Sequence, residues 1–216
     1  RQTKHRTPCA ACPLRARPCF REFEPGELAF VESFKRGESV VHAGAPVVQE
    51  GAASPYLFTI LEGWAFRFKT LPDGRRQILN FALPGDLIGL QTSVFQMMDH
   101  GVEALTPMVL CVFPRDQFSS LFTQQPSLAF DVTWMCARHE RLLDGQLVTV
   151  GRRNALERVA YVVWHLYERA RDLGMSRDGR LSFPLTQQHL ADTLGLSLVH
   201  TNKTIKRLRA SGCIRW

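Results

Sequence analysis

Residues 185–209 read Leu185-Thr-Gln-Gln-His-Leu-Ala-Asp-Thr-Leu-Gly-Leu-Ser-Leu-Val-His-Thr-Asn-Lys-Thr-Ile-Lys-Arg-Leu-Arg209. Thr186 is placed to cap a short helix over Gln187–Leu194, because its hydroxyl can accept from one of the amide donors that a helix start leaves unpaired. Gly195 supplies the tight turn and Ser197 caps a second helix. Leu190 and Leu194 on the first helix, with Leu198, Ile205 and Leu208 on the second, have the spacing of a small core between two crossing helices. The stretch predicts a helix-turn-helix. Its second helix leaves Val199, His200, Asn202, Lys203, Lys206 and Arg207 facing outward, a set of apolar, amide and cationic groups suited to base edges and phosphates. Thr186, Gln187 and Ser197, at the two helix starts, complete the expected DNA-contact set. A plain helical hairpin with a solvated basic face would need no such agreement of caps, turn glycine and charge.

The 216 residues carry a formal net charge of +7. Residues 1–150 hold 15 Lys and Arg against 15 Asp and Glu, whereas residues 151–216 hold 12 against 5, so the whole excess lies in the last third. A neutral large part joined to a small basic part predicts two domains, the basic one facing a polyanion such as DNA. With 45% hydrophobic and 22% charged residues the composition is that of a folded globular chain, not a disordered one. No run of eighteen apolar residues occurs, and Arg1 to Arg6 lack the apolar core of a secretory signal. The expected location is therefore the cytoplasm, with no membrane association.

Upstream of the basic part, short apolar or alternating runs read as strands: Ser39-Val-Val, Tyr56 to Leu61, Trp64 to Lys69, Gln77 to Phe81 and Met108 to Phe113. Glycine and proline breaks punctuate them, and Asp73-Gly74 between two runs is a strong hairpin signal. An antiparallel roll follows. After Pro126, Leu128, Val132, Met135, Leu142, Leu143, Leu147 and Val150 recur at helical steps, with Phe130, Trp134 and Cys136 widening the apolar surface. This predicts a long helix that packs on its own roll and on a second subunit, with Leu128, Val132, Met135, His139, Leu142, Leu143, Gln146 and Val150 as the expected dimer seam. A helix buried inside one chain is the alternative. A further helix from about Arg153 to Leu173 is closed by Gly174. The fold class is α+β: an N-terminal antiparallel β-roll, a long dimerisation helix and a C-terminal helix-turn-helix.

In that order of parts, and in Pro84-Gly-Asp-Leu-Ile-Gly89, Arg152-Arg-Asn-Ala-Leu-Glu-Arg-Val-Ala160 and Leu185 to Leu196, the sequence resembles the CRP/FNR family of bacterial transcription regulators over nearly its whole length. The resemblance implies a cysteine-containing segment and helix over 1–33, a sensor roll over 34–124, a dimerisation helix over 125–150 and a DNA-binding domain over 151–216. It also implies a homodimer that binds a pseudo-palindromic double-stranded operator and contacts RNA polymerase. Where the oxygen-sensing branch has Glu and then Ser-Arg on its recognition helix, this sequence has Val199 and Asn202-Lys203, so a different operator is expected. Trp216 falls just after what would be the first strand of the family's wing, so an incomplete wing is expected.

Family members that bind cyclic nucleotide use a Glu after the Gly-Asp-x-x-Gly motif and a later Arg-Ser pair. Here Leu90 follows Gly89, and the later segment is Gln96-Met-Met-Asp-His100, which offers a phosphate no cation. No cyclic nucleotide is expected. Six cysteines are too few for a disulfide scaffold. Cys9, Cys12, Cys19 and Cys111, the last just before a proline, resemble the ligands of the iron-sulfur FNR branch, which implies a [4Fe-4S] cluster and a response to oxygen or redox state. Six residues separate Cys12 from Cys19 where five is usual. The residues themselves leave other readings open: zinc on Cys9 and Cys12 with Cys19 or His5, a redox thiol pair, incidental thiols, or a different small ligand in the roll. Cys136 and Cys213 have no partner by spacing. A cupin-like metalloenzyme would need converging histidines, and no Ser-His-Asp, Walker or Gly-x-Gly-x-x-Gly signature occurs, so no enzyme is expected.

Overall fold

The computed structural model describes residues 7–215. His5 and Trp216 lie outside them. Eight strands make two four-stranded sheets: β1 (Gly37–Val41), β8 (Met108–Pro114), β3 (Tyr56–Glu62) and β6 (Leu87–Ile88) in one; β2 (Pro46–Val48), β7 (Gly101–Ala104), β4 (Ala65–Thr70) and β5 (Arg76–Ala82) in the other. β1 and β3 both pair antiparallel to β8, which puts β8 inside its sheet. The expected strand runs are present. β2, β6 and β7 are additional, each too short to show a period in the sequence.

Two compact units can be distinguished. One takes the described residues up to Arg67 with Phe81–His139; the other takes Phe68–Asn80 and the described residues from Glu140 onward. The first unit has a core between the two sheets that includes Ile60, Ala65, Ile88, Val102, Met108 and Leu110, all at most 1% exposed. Gly63, at φ +90°, makes the β3–β4 turn where any Cβ would lie 2.4 Å from the Pro107 carbonyl oxygen, so only glycine fits. A second core joins α1 (Pro25–Phe34) to β8, α3 (Phe118–Gln124) and the start of α4 (Pro126–Arg152) through Phe34, Phe113, Leu121, Leu128 and Ala129.

The N-terminal segment runs through two single 3-10 turns, Cys9–Ala11 and Pro13–Ala16, and is fastened to this unit at several points. Arg21 donates from Nη1 and Nη2 to Glu27 at 2.7 Å and from Nε to Asp131 on α4 at 2.9 and 3.0 Å. The Arg21 hydrogen bonds hold the Glu27 carboxyl down to about 2, against the opposing pull of its burial. The Phe20 ring fills the space over Gly85, where a Cβ would come within 2.1 Å of it. Gly85 thus leaves room for the residue that follows Cys19.

In the second unit, α5 (Ala155–Asp172) starts at Asn154, whose side chain accepts from the amides of Leu156 and Glu157 while Glu157 bonds back to the Asn154 amide. Val159, Val162, Leu166 and Ala170 form its buried face. α6 (Gln187–Leu194) and α7 (Leu198–Ala210) pack on it and on each other. Residues 211–215 form turn and coil, so the first wing strand expected there is absent among the described residues; the one bridge nearby pairs Arg177 with Arg180.

Candidate nucleic-acid interface and thiol site

α6 begins as the sequence indicates. The Thr186 hydroxyl accepts from the His189 amide at 3.2 Å, and His189 Nδ1 accepts from the Thr186 amide at 3.1 Å, a reciprocal cap with histidine in the usual Glu position. Gly195 takes the left-handed conformation, φ 62°, and the Ser197 hydroxyl accepts from the His200 amide at 3.2 Å to start α7. Leu190, Leu194, Ile205 and Leu208 are buried between the helices. Leu198, expected among them, is 43% exposed. It occupies the first position of α7, and a helical side chain leans back over the preceding turn, which a first residue lacks. Thr201 and Thr204 take the inward places instead, their hydroxyls donating to the carbonyls of Ser197 and His200. Arg158 donates to the Leu194 carbonyl at 3.1 Å, placing a cation at the negative end of α6.

Val199, His200, Lys203, Lys206 and Arg207 are exposed on one long side of α7, with Thr186 and Ser197 exposed at the helix starts; Gln187 and Asn202 are half-buried. The expected recognition-helix residues thus present a basic side of α7. Gln77 on the β4–β5 hairpin and Gln146 on α4 both donate to the Thr193 carbonyl, at 3.0 and 2.7 Å.

The long helix α4 distributes its apolar residues differently from the expected seam. Leu128 is buried and Val132 half-buried in the chain's own core. His139 Nε2 lies 2.7 Å from the Arg67 guanidinium, Gln146 holds Thr193, and Met135, Leu142 and Val150 are half-buried. Of the eight seam residues only Leu143 is exposed. The apolar side chains left outside are Phe130, Trp134, Leu143, Leu147 and Val148, between 48% and 70% exposed. Helical spacing revealed an apolar helix but could not say which of its faces the roll would claim.

The cysteines separate into two groups. Cys136 and Cys213 are exposed. Cys9 and Cys111 are buried, and Cys12 and Cys19 half-buried. In the β1–β8 register Cys111 stands directly opposite Glu38, so both side chains project from the same face of the sheet. Lys35, at the end of α1, donates to Glu38 Oε1 at 2.7 Å and to the Thr7 carbonyl at 2.9 Å; the Thr7 amide donates to the same Glu38 oxygen at 2.7 Å. Thr7 is two residues before Cys9. Burial pushes the Cys111 thiol up to about 12, while the Lys35 ammonium, hydrogen-bonded to it, works against that rise and Cys12 adds to it. Burial pulls Lys35 down, yet its bond to Glu38 and the fields of Cys111 and Cys9 leave it above its ordinary value. Burial would raise Glu38, and Lys35 with the Thr7 amide outweighs that to hold it low.

Cys9 and Cys111 therefore share the neighbourhood of one buried ammonium, and Cys12 acts on Cys111. Among the described residues no three His, Cys, Asp or Glu side chains form a group that could hold a metal ion. Soft sulfur donors of low solvent access are the ligand type of a thiolate-ligated centre, but as placed they do not close a site for one. Closure of the set would have to come with the centre itself, as it does where metal binding is coupled to local folding. Sequence reading missed Lys35 and Glu38, since a charged i,i+3 pair beside a glycine reads as a surface turn. It also missed Arg21.

Asn202→Ala and Lys203→Ala should each relax base preference at a defined operator position by about 1–3 kcal/mol in a selection from random DNA. Unchanged preference in both variants would show that another face of the helix-turn-helix reads the bases.

The chain matches two family models, a cyclic nucleotide-binding domain over residues 31–125 and a Crp-like helix-turn-helix domain over residues 157–216. It is 30% identical over 208 residues to the nitrogen fixation regulation protein FixK of Bradyrhizobium diazoefficiens, covering 95% of this chain and 85% of that one. It is 28% identical over 209 residues to the transcriptional activator protein FnrL of Cereibacter sphaeroides, covering 95% and 83%. In fold it is similar to the solved structure of FixK2 from Bradyrhizobium japonicum, with a TM-score of 0.74, 24% identity, and 83% and 87% of the two chains covered. No helix of the described residues is long and apolar enough to cross a membrane. The roll, the long helix, the capped helix-turn-helix and full-length similarity to regulators rather than enzymes agree: the chain belongs to the CRP/FNR family of DNA-binding transcription regulators.

Proposed function

We propose that this regulator works in the cytoplasm as a homodimer whose operator affinity answers to oxygen or redox state through Cys9, Cys12, Cys19 and Cys111, and not to a cyclic nucleotide. The observation that carries this reading is the place of Cys111, on the strand that packs against α4, beside the buried Lys35 ammonium, with Cys9 of the N-terminal turn acting on the same ammonium. An iron-sulfur cluster, when bound there, supplies an oxygen-labile centre. The chain's own residues do the rest. Cys111 belongs to β8, whose Phe113 packs with Phe34, Leu128 and Ala129. Cys19 is followed by Phe20 and Arg21, which hold the Gly85 turn and Asp131 of α4. A change at the thiols thus reaches α4 by two routes, and α4 continues in sequence into the second unit.

Against a cyclic nucleotide stands the segment from Gly89 to His100, which contains no arginine or lysine to meet a phosphate. For the dimer, Leu143 and Leu147, one helical turn apart on α4, leave an exposed apolar strip that a second copy would cover. Two recognition helices would then meet half-sites about 34 Å apart on one side of the duplex. FnrL is a transcriptional activator, and a similar role through contact with RNA polymerase is part of the proposal.

Leu147→Asp should place a carboxylate in the seam and weaken dimerisation by several kcal/mol. A variant that still sediments as a dimer at micromolar concentration would move the seam elsewhere.

Zinc or a redox thiol pair is the second reading, favoured by Cys9 and Cys12 lying close in sequence at one 3-10 turn. Iron, sulfide and zinc measured in anaerobically purified parent, Cys9→Ser and Cys111→Ser proteins decide between them. The cluster requires iron in the parent and loss of most of it in both variants. Zinc retained in full by Cys111→Ser, or a parent without iron, would replace the cluster by the second reading.

A further inference from the structure

A helix leaves its last four carbonyls without partners in its own ladder, and where each one finds a donor fixes how that end is held. At the end of α6 the Ala191 carbonyl accepts from the amides of Gly195 and Leu196, while those of Thr193 and Leu194 turn to side chains of three other elements. Gln77 of β5 and Gln146 of α4 both donate from Nε2 to the Thr193 carbonyl, at 3.0 and 2.7 Å, and Arg158 of α5 donates to that of Leu194 at 3.1 Å. Arg76, beside Gln77, pairs with Asp192 at 3.4 Å. All of these residues belong to the second unit. The bonds meet α6 just before the Gly195 turn, and Val199, Lys203 and Lys206 on α7 stay exposed. Gln146 stands three residues after Leu143 and one before Leu147, so the exposed apolar strip and the hold on α6 are neighbours on one stretch of α4.

We propose that Gln146, with Gln77, is a positioning residue for DNA recognition: by tying the end of α6 to α4 beside the apolar strip, the two amides fix where each reading helix stands relative to the subunit contact, and so set the half-site spacing that the protein accepts. This rests on the homodimer reading. A two-fold dimer repeats the hold in each subunit, so slack in it enters twice into the distance between the two α7 helices. Each base pair added between half-sites moves one of them about 3.4 Å along the duplex and about 35° around it, a displacement that a firmly held domain does not follow. A loosely held domain follows it, but must then be ordered at the moment of binding. Loss of the hold therefore weakens binding at the preferred spacing and spares the others.

Gln77→Met and Gln146→Met keep the side-chain length and remove the donor. The full chains of the parent, both single variants and the double variant are compared by affinity for three kinds of duplex: the operator that the parent selects from random DNA, the same operator with its half-sites one base pair closer or farther apart, and a duplex with one half-site. Sedimentation follows the oligomer in the same preparations. The parent should favour its own spacing. In the double variant that preference should shrink by about tenfold, the order expected for two hydrogen bonds of ordinary strength, with affinity for the single half-site unchanged. Each single variant should fall between, because the two amides share one acceptor. An equal fall at every spacing and on the single half-site would mark the glutamines as supports of the fold and overturn the proposal, as would a spacing preference kept in full by the double variant. A parent that sediments as a monomer would end the dimer reading and this proposal with it, whereas either of the other two results from a dimeric parent ends this proposal alone.

Discussion

The register of β8 between β1 and β3 governs what the rest of the first unit can do. Side chains on a strand alternate between faces, so a slip of one residue would turn Cys111 away from Glu38 and exchange the residues presented to the two cores. In the register observed, Leu110 enters the core between the sheets, Cys111 meets Glu38, and Phe113 joins Phe34 and Leu128 under the long helix. One strand thus carries the barrel core, the thiol site and the seat of α4. Neighbours on both sides hold it, and an inner strand with both partners in place has little freedom to move alone.

The N-terminal segment depends on that strand in turn. It has no strand of its own and only two single 3-10 turns, so its place comes from a few directed contacts: Thr7 to Lys35 and Glu38, Phe20 over Gly85, and Arg21 to Glu27 and Asp131. Contacts of this kind can be made and released without disturbing the sheets. Arg21 is 40% exposed, and an ion pair at that exposure contributes modestly in water, whereas Lys35 and Glu38 are almost fully enclosed. The two ends of the segment are therefore held with unequal strength, the weaker hold lying on α4. Under the proposed function, that gradient suits a segment whose state α4 reads without dissolving the roll.

Much of this was legible in the sequence, and for local reasons. The helix-turn-helix is specified by Thr186, Gly195 and Ser197 through bonds that reach four residues or fewer, and the strands of the roll announce themselves by period and by glycine breaks. Long-range choices were not legible. Leu143 and Leu128 look alike in a heptad count, but only the roll decides that Leu128 is buried and Leu143 is not. Leu198 has a core residue's spacing and fails for want of a preceding turn. The burial of Lys35 and Glu38 depends on Thr7 and Cys111, which lie far away on either side in sequence, and no short-range pattern encodes it.

The central claim is that the thiol site and the recognition helices are coupled. Its most direct measurement is operator affinity, by fluorescence anisotropy, of one anaerobic preparation before and after exposure to air, with iron followed in the same sample. Coupling of ordinary size predicts that affinity falls by about tenfold or more as iron is lost. Affinity unchanged after the iron has left would contradict it.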